Sequence, residues 1–115
     1  MSAWKVDFYE SRSGRSPIAD FIKAQSKHDQ ARIFAELDDL LEFGPMPRGH
    51  KFRRIRGKLW EYRFSGKCGP FRFFFFRASG RRIVIVHAIC KKTQRTPLRD
   101  VRLALERMAD AQKRL

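Results

Sequence analysis

The sequence predicts an α+β domain in which helices cover a mostly antiparallel four-stranded sheet. Three observations lead to this fold class. Strand-like and helix-like patterns follow each other in the order β-α-α-β-β-β-α, with two helices before the main strands and one after them. The last three strand patterns are joined by short segments rich in hairpin-turn residues. The length of 115 residues suits one compact core, so residues 1–115 are predicted to form a single domain.

The first half of the chain contains one strand pattern and two helix patterns. The segment WKVDFY alternates apolar and polar residues, which predicts a strand over residues 4–9. Ser16 followed by Pro17 predicts a helix start, because serine caps helices and proline suits the first helical position. The segment SKHD at residues 26–29 resembles a capping box and predicts a second helix, which Gly44 and the following proline end.

The second half contains three strand patterns and a last helix. The segments KLWEYRF, FRFFFFR and RIVIVHAIC are predicted strands, and SGKCGP and ASG are the turns between them. Thr96 is the predicted N-cap of the last helix and Pro97 its first residue. The predicted buried stripe of this helix consists of Leu98, Val101, Leu105 and Met108.

Turn lengths predict the register of the sheet. If residues 66–69 form the first hairpin loop, Arg63 faces Arg72, and a two-residue turn at Ser79-Gly80 would place Arg72 opposite His87. Alternation then gives an aromatic core face and a second face, predicted to be open. The residues predicted on that second face are Glu61, Arg63, Arg72, Phe74, Phe76, Ile85, His87, Ile89 and Lys91.

Two arginines directly opposite each other in a sheet are unfavourable. Like charges at such positions repel by about 0.2–1 kcal/mol, so an anion between Arg63 and Arg72 would relieve the repulsion. Guanidinium groups bind phosphate through two hydrogen bonds, and an aromatic ring beside them, such as Phe74, could stack a base. The face is therefore predicted to bind a nucleic acid.

Composition points to a polyanionic partner. The chain has 26 Lys and Arg against 12 acidic residues, a formal charge of +14, which favours nucleic acid, an anionic membrane or an acidic protein. The positive charge is densest over residues 45–58, predicted to be a loop that anchors RNA phosphates. The anchoring residues predicted there, and after the last strand, are Lys51, Arg53, Arg54, Arg56, Lys58 and Lys92.

Other classes of protein are not indicated. No apolar run approaches the roughly 20 residues of a membrane span, and no signal peptide is recognisable, so a cytoplasmic protein without a membrane partner is expected. Cys68 and Cys90 match neither a disulfide framework nor the spacing of a metal site, and both are predicted to be reduced thiols. Neither a metal nor another cofactor is predicted.

The sequence resembles the phage-derived HigB-like toxins of the RelE/ParE superfamily. The resemblance rests on WKVDFYESRSGRSPIADFI, KFRRIRGKLWEYRF, FRFFFFR and HAICKKTQRTPLRDVRLALERM, and KKTQRTP is its most specific part. It implies a RelE/ParE-like fold and a type II toxin that cuts mRNA on the ribosome and is neutralised by a helix-turn-helix antitoxin. Relatives often carry tyrosine in the strand where positions 71 and 75 are phenylalanine here, so this chain would act without it.

Such a nuclease deprotonates a ribose 2′-OH, stabilises a pentavalent dianion and protonates the leaving 5′-oxygen. The resemblance places Arg63 and Arg72 at the dianion. Lys91 or Lys92 is a candidate base only where neighbouring cations make its ammonium group easier to deprotonate, and either could instead simply attract phosphate. Histidine suits proton transfer, although His87 in an apolar strand is also typical of a packed residue. Glu61 is either a base or the partner that orients Arg63.

Two other functions fit parts of the sequence. A ParE-like toxin would inhibit DNA gyrase by binding it, although the predicted face of two arginines and a lysine argues against that reading. A non-catalytic RNA-binding module would use the same basic face for affinity alone. Charge by itself does not distinguish this module from a nuclease.

Overall fold

A computed structural model describes residues 3–45, 51–92 and 95–115. The α+β class is confirmed. The helices and strands of the described residues are, in chain order, β1 (Lys5–Phe8), α1 (Pro17–Lys23), α2 (Lys27–Phe43), β2 (Phe52–Arg56), β3 (Leu59–Gly66), β4 (Gly69–Ala78), β5 (Arg82–Cys90) and α3 (Leu98–Arg114). None of these helices is both long enough and apolar enough to cross a membrane.

The strands form one mixed sheet in the order β1-β5-β4-β3-β2. β1 runs parallel to β5, and the other neighbours are antiparallel. The predicted strand number is wrong: among the described residues the sheet has five strands, and the expected RelE/ParE-like arrangement is not matched in full.

The unpredicted strand is β2, which the sequence assigned to the basic loop. Its charged residues are compatible with a strand because it lies at the edge of the sheet, where charges commonly discourage further pairing. Phe52 ties it to the core by stacking on Tyr62 of β3, with ring centroids 4.6 Å apart. Residues 46–50 of the predicted loop lie outside the described residues.

The register of the first hairpin is confirmed, because Arg63 of β3 pairs with Arg72 of β4. The register of the second hairpin is wrong. The turn after β4 is one residue longer than predicted, and a bulge interrupts the pairing of β4 with β5 after Phe74. Arg72 therefore pairs with Ile89, and His87 lies opposite Phe74.

Helices cover both faces of the sheet. On one face, Phe21 of α1 packs edge-on against Phe71 and Phe73, with centroids 6.0 Å apart in each case. α3 covers the other face, which contains Arg72 and Phe74 and was expected to be open. That expectation is wrong, since Phe74 is 0 % exposed and Arg72 only 1 %.

The predicted stripe of α3 is confirmed in part, since Val101 is buried and Leu105 and Met108 pack against the core, but Leu98 does not belong to it. The buried residues of α3 are Asp100, Val101, Ala104 and Ala111, whereas Leu98 is 55 % exposed. The small alanine side chains allow the helix to lie close to the sheet. A buried aspartate in its first turn shows that polar contacts also fix the rotation of this helix, and apolar periodicity does not reveal such contacts.

The predicted helix starts at Ser16 and Ser26 are confirmed, since each hydroxyl accepts the backbone N–H of the residue three positions later. Asp29 does not complete a capping box. Its carboxylate accepts the backbone N–H groups of Lys67 and Cys68 at 2.8 and 3.1 Å, which holds the β3–β4 turn against α2. The bond from Lys67 is the main reason that the pKa of Asp29 is lowered.

The cysteines are not reduced thiols in this structure. Cys68, in the β3–β4 turn, forms a disulfide with Cys90 at the end of β5, and their Cα atoms are 6.3 Å apart. The sequence did not reveal this pair because the two residues meet only through the pairing of β4 with both neighbouring strands.

Candidate active site

The Arg63–Arg72 pair forms the centre of the site. The two residues are direct partners on β3 and β4, but their environments differ. The Arg63 side chain is 31 % exposed, and its Nε lies 2.5 Å from Oε1 of Glu61. Arg72 is buried beneath α3. Arg63 is therefore the arginine of the pair that a ligand can reach.

Thr96 connects the two arginines through Glu61. Its hydroxyl oxygen lies 2.5 Å from Oε2 of Glu61 and 3.1 Å from Nη1 of Arg72. Thr96 is not the cap of α3 that the sequence predicts: the N-cap is Pro97, without a side-chain capping bond. The Thr96 hydroxyl group instead hydrogen-bonds to the buried charged side chains of Glu61 and Arg72 on the sheet.

Arg72 is an incompletely satisfied buried cation. Among the described residues, its Nε is the buried side-chain nitrogen or oxygen atom that has no hydrogen-bond partner. Burial, and after it the positive charge of Arg63, lowers the pKa of Arg72. A buried donor without a partner destabilises a fold by about 1–3 kcal/mol, so Arg72 is not explained by folding alone.

A second cluster joins β5 to α3 through His87. Nε2 of His87 lies 2.8 Å from Oδ1 of Asp100, and Nη1 of Arg107 lies 3.1 Å from Nδ1. Because a guanidinium group can only donate, Nδ1 is the acceptor and Nε2–H donates to Asp100. Burial lowers the pKa of His87 despite this bond, so the neutral ring is favoured.

Lys91 belongs to this second cluster. Its Nζ lies 3.3 Å from Oδ2 of Asp100, so this one carboxylate binds both His87 and Lys91. Burial alone would raise the pKa of Asp100, but the hydrogen bonds from His87 and Lys91 outweigh it and lower that pKa.

A basic cleft of about 400 Å³ lies between β2 and the start of α3. Its lining residues are Arg53, Arg54, Ile55, Arg95, Thr96 and Val101. Thr96 thus lines the cleft and also hydrogen-bonds to the buried side chains of Glu61 and Arg72. Arg54 is held by a 2.9 Å hydrogen bond from its Nε to the carbonyl oxygen of Gly57.

The remaining predicted RNA-binding residues differ in their surroundings. Lys51 is bound to the buried carboxylate of Glu36 at 3.3 Å, but it also lines a second cleft of about 370 Å³ with Arg63. Arg56, Lys58 and Lys92 are exposed. The predicted role of Phe74 in base stacking is wrong, because α3 covers that face and the ring stacks instead on His87, with centroids 5.6 Å apart.

The structure thus brings the predicted residues into two groups. Glu61, Arg63 and Arg72 form the first, and His87 and Lys91 form the second. Sequence reasoning missed Thr96, Asp100 and Arg107, which hold these groups in place. The sequence offered only weak signals: Thr96 resembled a helix cap, and Asp100 and Arg107 resembled the polar face of an amphipathic helix.

Comparison with known families gives a match over most of the chain. The sequence model of the family described as "Phage derived protein Gp49-like (DUF891)" matches residues 20–109, which include β2 to β5 and the whole of both residue groups. No curated protein matches the chain.

Proposed function

Since the chain belongs to the Gp49-like family, a toxin family of the RelE/HigB type from toxin–antitoxin systems, we propose that it is a ribosome-dependent mRNA endonuclease. The observation that carries the proposal is the partly exposed Arg63 with the buried Arg72 directly behind it. Two guanidinium groups at one point of the sheet suit a reaction in which negative charge accumulates on a phosphate.

In the proposed reaction a ribose 2′-oxygen attacks the adjacent phosphorus. The O2′–P bond forms, the P–O5′ bond breaks, and the products are a 2′,3′-cyclic phosphate and a 5′-hydroxyl end. The proton of the 2′-OH leaves to solvent water and one proton is delivered to the leaving 5′-oxygen, so the overall reaction neither gains nor loses protons. Arg63 contacts the phosphate, and Arg72 adds positive potential from a buried position where screening by water is weak. The side chains supply the positive charge, and the proposal uses no metal.

The second residue group supplies the proton for the leaving oxygen. Lys91 donates a hydrogen bond through Nζ to the Asp100 carboxylate at 3.3 Å, so we assign it the role of acid or charge rather than base. His87 uses both ring nitrogens within the protein and holds Asp100 in place. Glu61 is fully buried and orients Arg63.

RNA anchoring is assigned to the basic cleft and the neighbouring exposed cations. Arg53, Arg54 and Arg95 line the cleft, and Arg56 and Lys58 continue the positive surface. Each phosphate neutralised there adds salt-dependent affinity without reading the bases. Lys51 and Lys92 add charge to the same RNA surface.

The proposed protein partner is a cognate helix-turn-helix antitoxin. A toxin of formal charge +14 is best neutralised by a protein that is acidic where it covers the arginines. Association would then be fast and would slow as ionic strength rises.

The decisive experiment incubates purified protein with ribosomes carrying a defined mRNA and maps new 5′ ends. Cuts within the ribosome-bound message, with 5′-hydroxyl ends, are expected, while the same mRNA without ribosomes stays intact. Absence of cuts at a protein concentration that saturates the ribosomes would overturn the proposal. Inhibition of DNA gyrase in a parallel supercoiling assay would then favour the ParE-like alternative.

A further inference from the structure

We propose that Thr96 is a positioning residue that aligns both arginines of the site through its hydroxyl group. The inference rests on the proposed nuclease function. It is carried by a continuous chain of contacts from Arg72 through Thr96 and Glu61 to Arg63, at 3.1, 2.5 and 2.5 Å.

The direction of each hydrogen bond in this chain is fixed by chemistry. The Arg72 guanidinium can only donate, so the Thr96 oxygen accepts from it. The Thr96 hydroxyl has one proton, which it donates to Oε2 of Glu61 while its oxygen accepts from Arg72. A hydroxyl group satisfies both neighbours at once, and a methyl group in its place satisfies neither.

The Thr96 hydroxyl group determines the orientation of the Arg63 side chain through the Glu61 carboxylate. One carboxylate oxygen of Glu61 accepts from Arg63 Nε and the other accepts from Thr96, so the carboxylate cannot rotate without losing one of the bonds. Glu61 is 0 % exposed, and water cannot easily replace a lost donor. Without the hydroxyl group, the carboxylate can rotate and take the Arg63 guanidinium out of line.

Thr96 also fixes Arg72 and connects the arginines to the cleft. Its bond to Nη1 holds the Arg72 guanidinium, whose Nε lacks a partner among the described residues. Thr96 precedes α3 and lines the basic cleft with Arg53 and Arg54. RNA held in that cleft would therefore contact the element that sets the orientation of both arginines.

The test compares Thr96→Val, which keeps the shape, with Thr96→Ser, which keeps the hydroxyl group. The single-turnover cutting rate at saturating ribosome is expected to fall about 10²-fold in the valine variant. Its ribosome affinity should stay within about threefold of wild type, because Thr96 acts on geometry and not on charge. The serine variant should retain a rate close to wild type.

Ser16→Ala is the matched control. It removes a partly buried hydroxyl group that accepts a hydrogen bond from the Ala19 backbone N–H at the start of α1, outside the site. If Thr96 is only structural, both Thr96→Val and Ser16→Ala lower the melting temperature and leave the saturated rate of folded protein unchanged. That result, or a serine variant as slow as the valine variant, overturns the inference.

Hydrogen exchange of the Arg63 Nε–H, followed by nuclear magnetic resonance, gives a second readout that does not depend on cutting. Faster exchange is expected in Thr96→Val than in wild type or Thr96→Ser, and unchanged exchange contradicts the positioning role. The spectra also show whether the valine variant is folded; if it is not, Thr96→Ala replaces it. If wild type itself does not cut, the proposed function fails, while the exchange measurement still decides whether Thr96 aligns Arg63.

Discussion

Arg63 and Arg72 are direct cross-strand partners, yet the Arg63 side chain is 31 % exposed and Arg72 is 1 % exposed. Sequence analysis assigned both residues the same role, and this difference in exposure separates their roles. A phosphate can contact Arg63, whereas Arg72 acts from behind it in a medium that screens charge poorly. The two arginines should therefore respond differently to substitution.

Arg63→Lys should slow the cut while leaving the protein folded. Lysine keeps a positive charge beside the buried Glu61 but loses the planar group that binds phosphate through two hydrogen bonds. We expect the single-turnover rate to fall about 10²-fold. Arg81→Lys, in the turn at the other end of β4, is the control. Equal rates for the two variants would show that the Arg63 guanidinium group takes no part in the reaction.

Arg72→Met should slow the cut without destabilising the protein. Methionine fills much of the buried volume and removes both the repulsion with Arg63 and the unpartnered Nε. The free energy of unfolding is expected to stay within about 1 kcal/mol of wild type or to rise. Arg72→Ala, which leaves a cavity, should be about 2–5 kcal/mol less stable than Arg72→Met. Urea unfolding measures both, and a large loss of stability in Arg72→Met would show that folding requires the charge.

His87 should make stability depend on pH in mildly acidic solution. Because burial lowers its folded pKa, only the unfolded chain takes up this proton as the pH falls from about 6.5 towards the folded pKa, and the folded state loses stability over that window. His87→Gln should reduce the pH dependence of the free energy of unfolding between pH 7 and 5. A steeper dependence in the variant would mean that the folded protein binds the proton.

The arginines of β2 should contribute affinity and not chemistry. Replacing Arg53, Arg54 and Arg56 by Gln should weaken ribosome binding and reduce its log–log salt slope by up to about 2–3. The rate at saturating ribosome should approach wild type. The control replaces Arg77, Arg81 and Arg82 by Gln, which removes the same charge at the other end of β4. Equal weakening by both triple variants would assign the effect to net charge alone.

The Cys68–Cys90 disulfide should stabilise the fold mainly by restricting the unfolded chain. For a sequence separation of 22 residues, the loop-closure relation gives about 3 kcal/mol. Adding a reductant should lower the free energy of unfolding of wild type by this amount, but it should not affect the Cys68→Ser/Cys90→Ser double variant. If wild type is also unaffected, the cysteines are reduced in solution, as the sequence predicts.

Local patterns in the sequence were sufficient for several features. Alternation and turn chemistry predicted the pairing of Arg63 with Arg72, and short-range capping predicted the helix starts at Ser16 and Ser26. These features depend on neighbouring residues or on a single hairpin, so they can be predicted from the order of residues along the chain. The positive charge of the chain and the family resemblance likewise required no structure.

The tertiary structure decided which residues are buried and which residues meet. The longer turn after β4 and the bulge after Phe74 together moved His87 away from Arg72, and the packing of α3 covered the face that was predicted to be open. Thr96, Asp100 and the disulfide partners come into contact only across several elements. Sequence periodicity indicates which face of an element is apolar but not which element packs against that face. The surroundings of the buried charges could therefore be determined only from the folded structure.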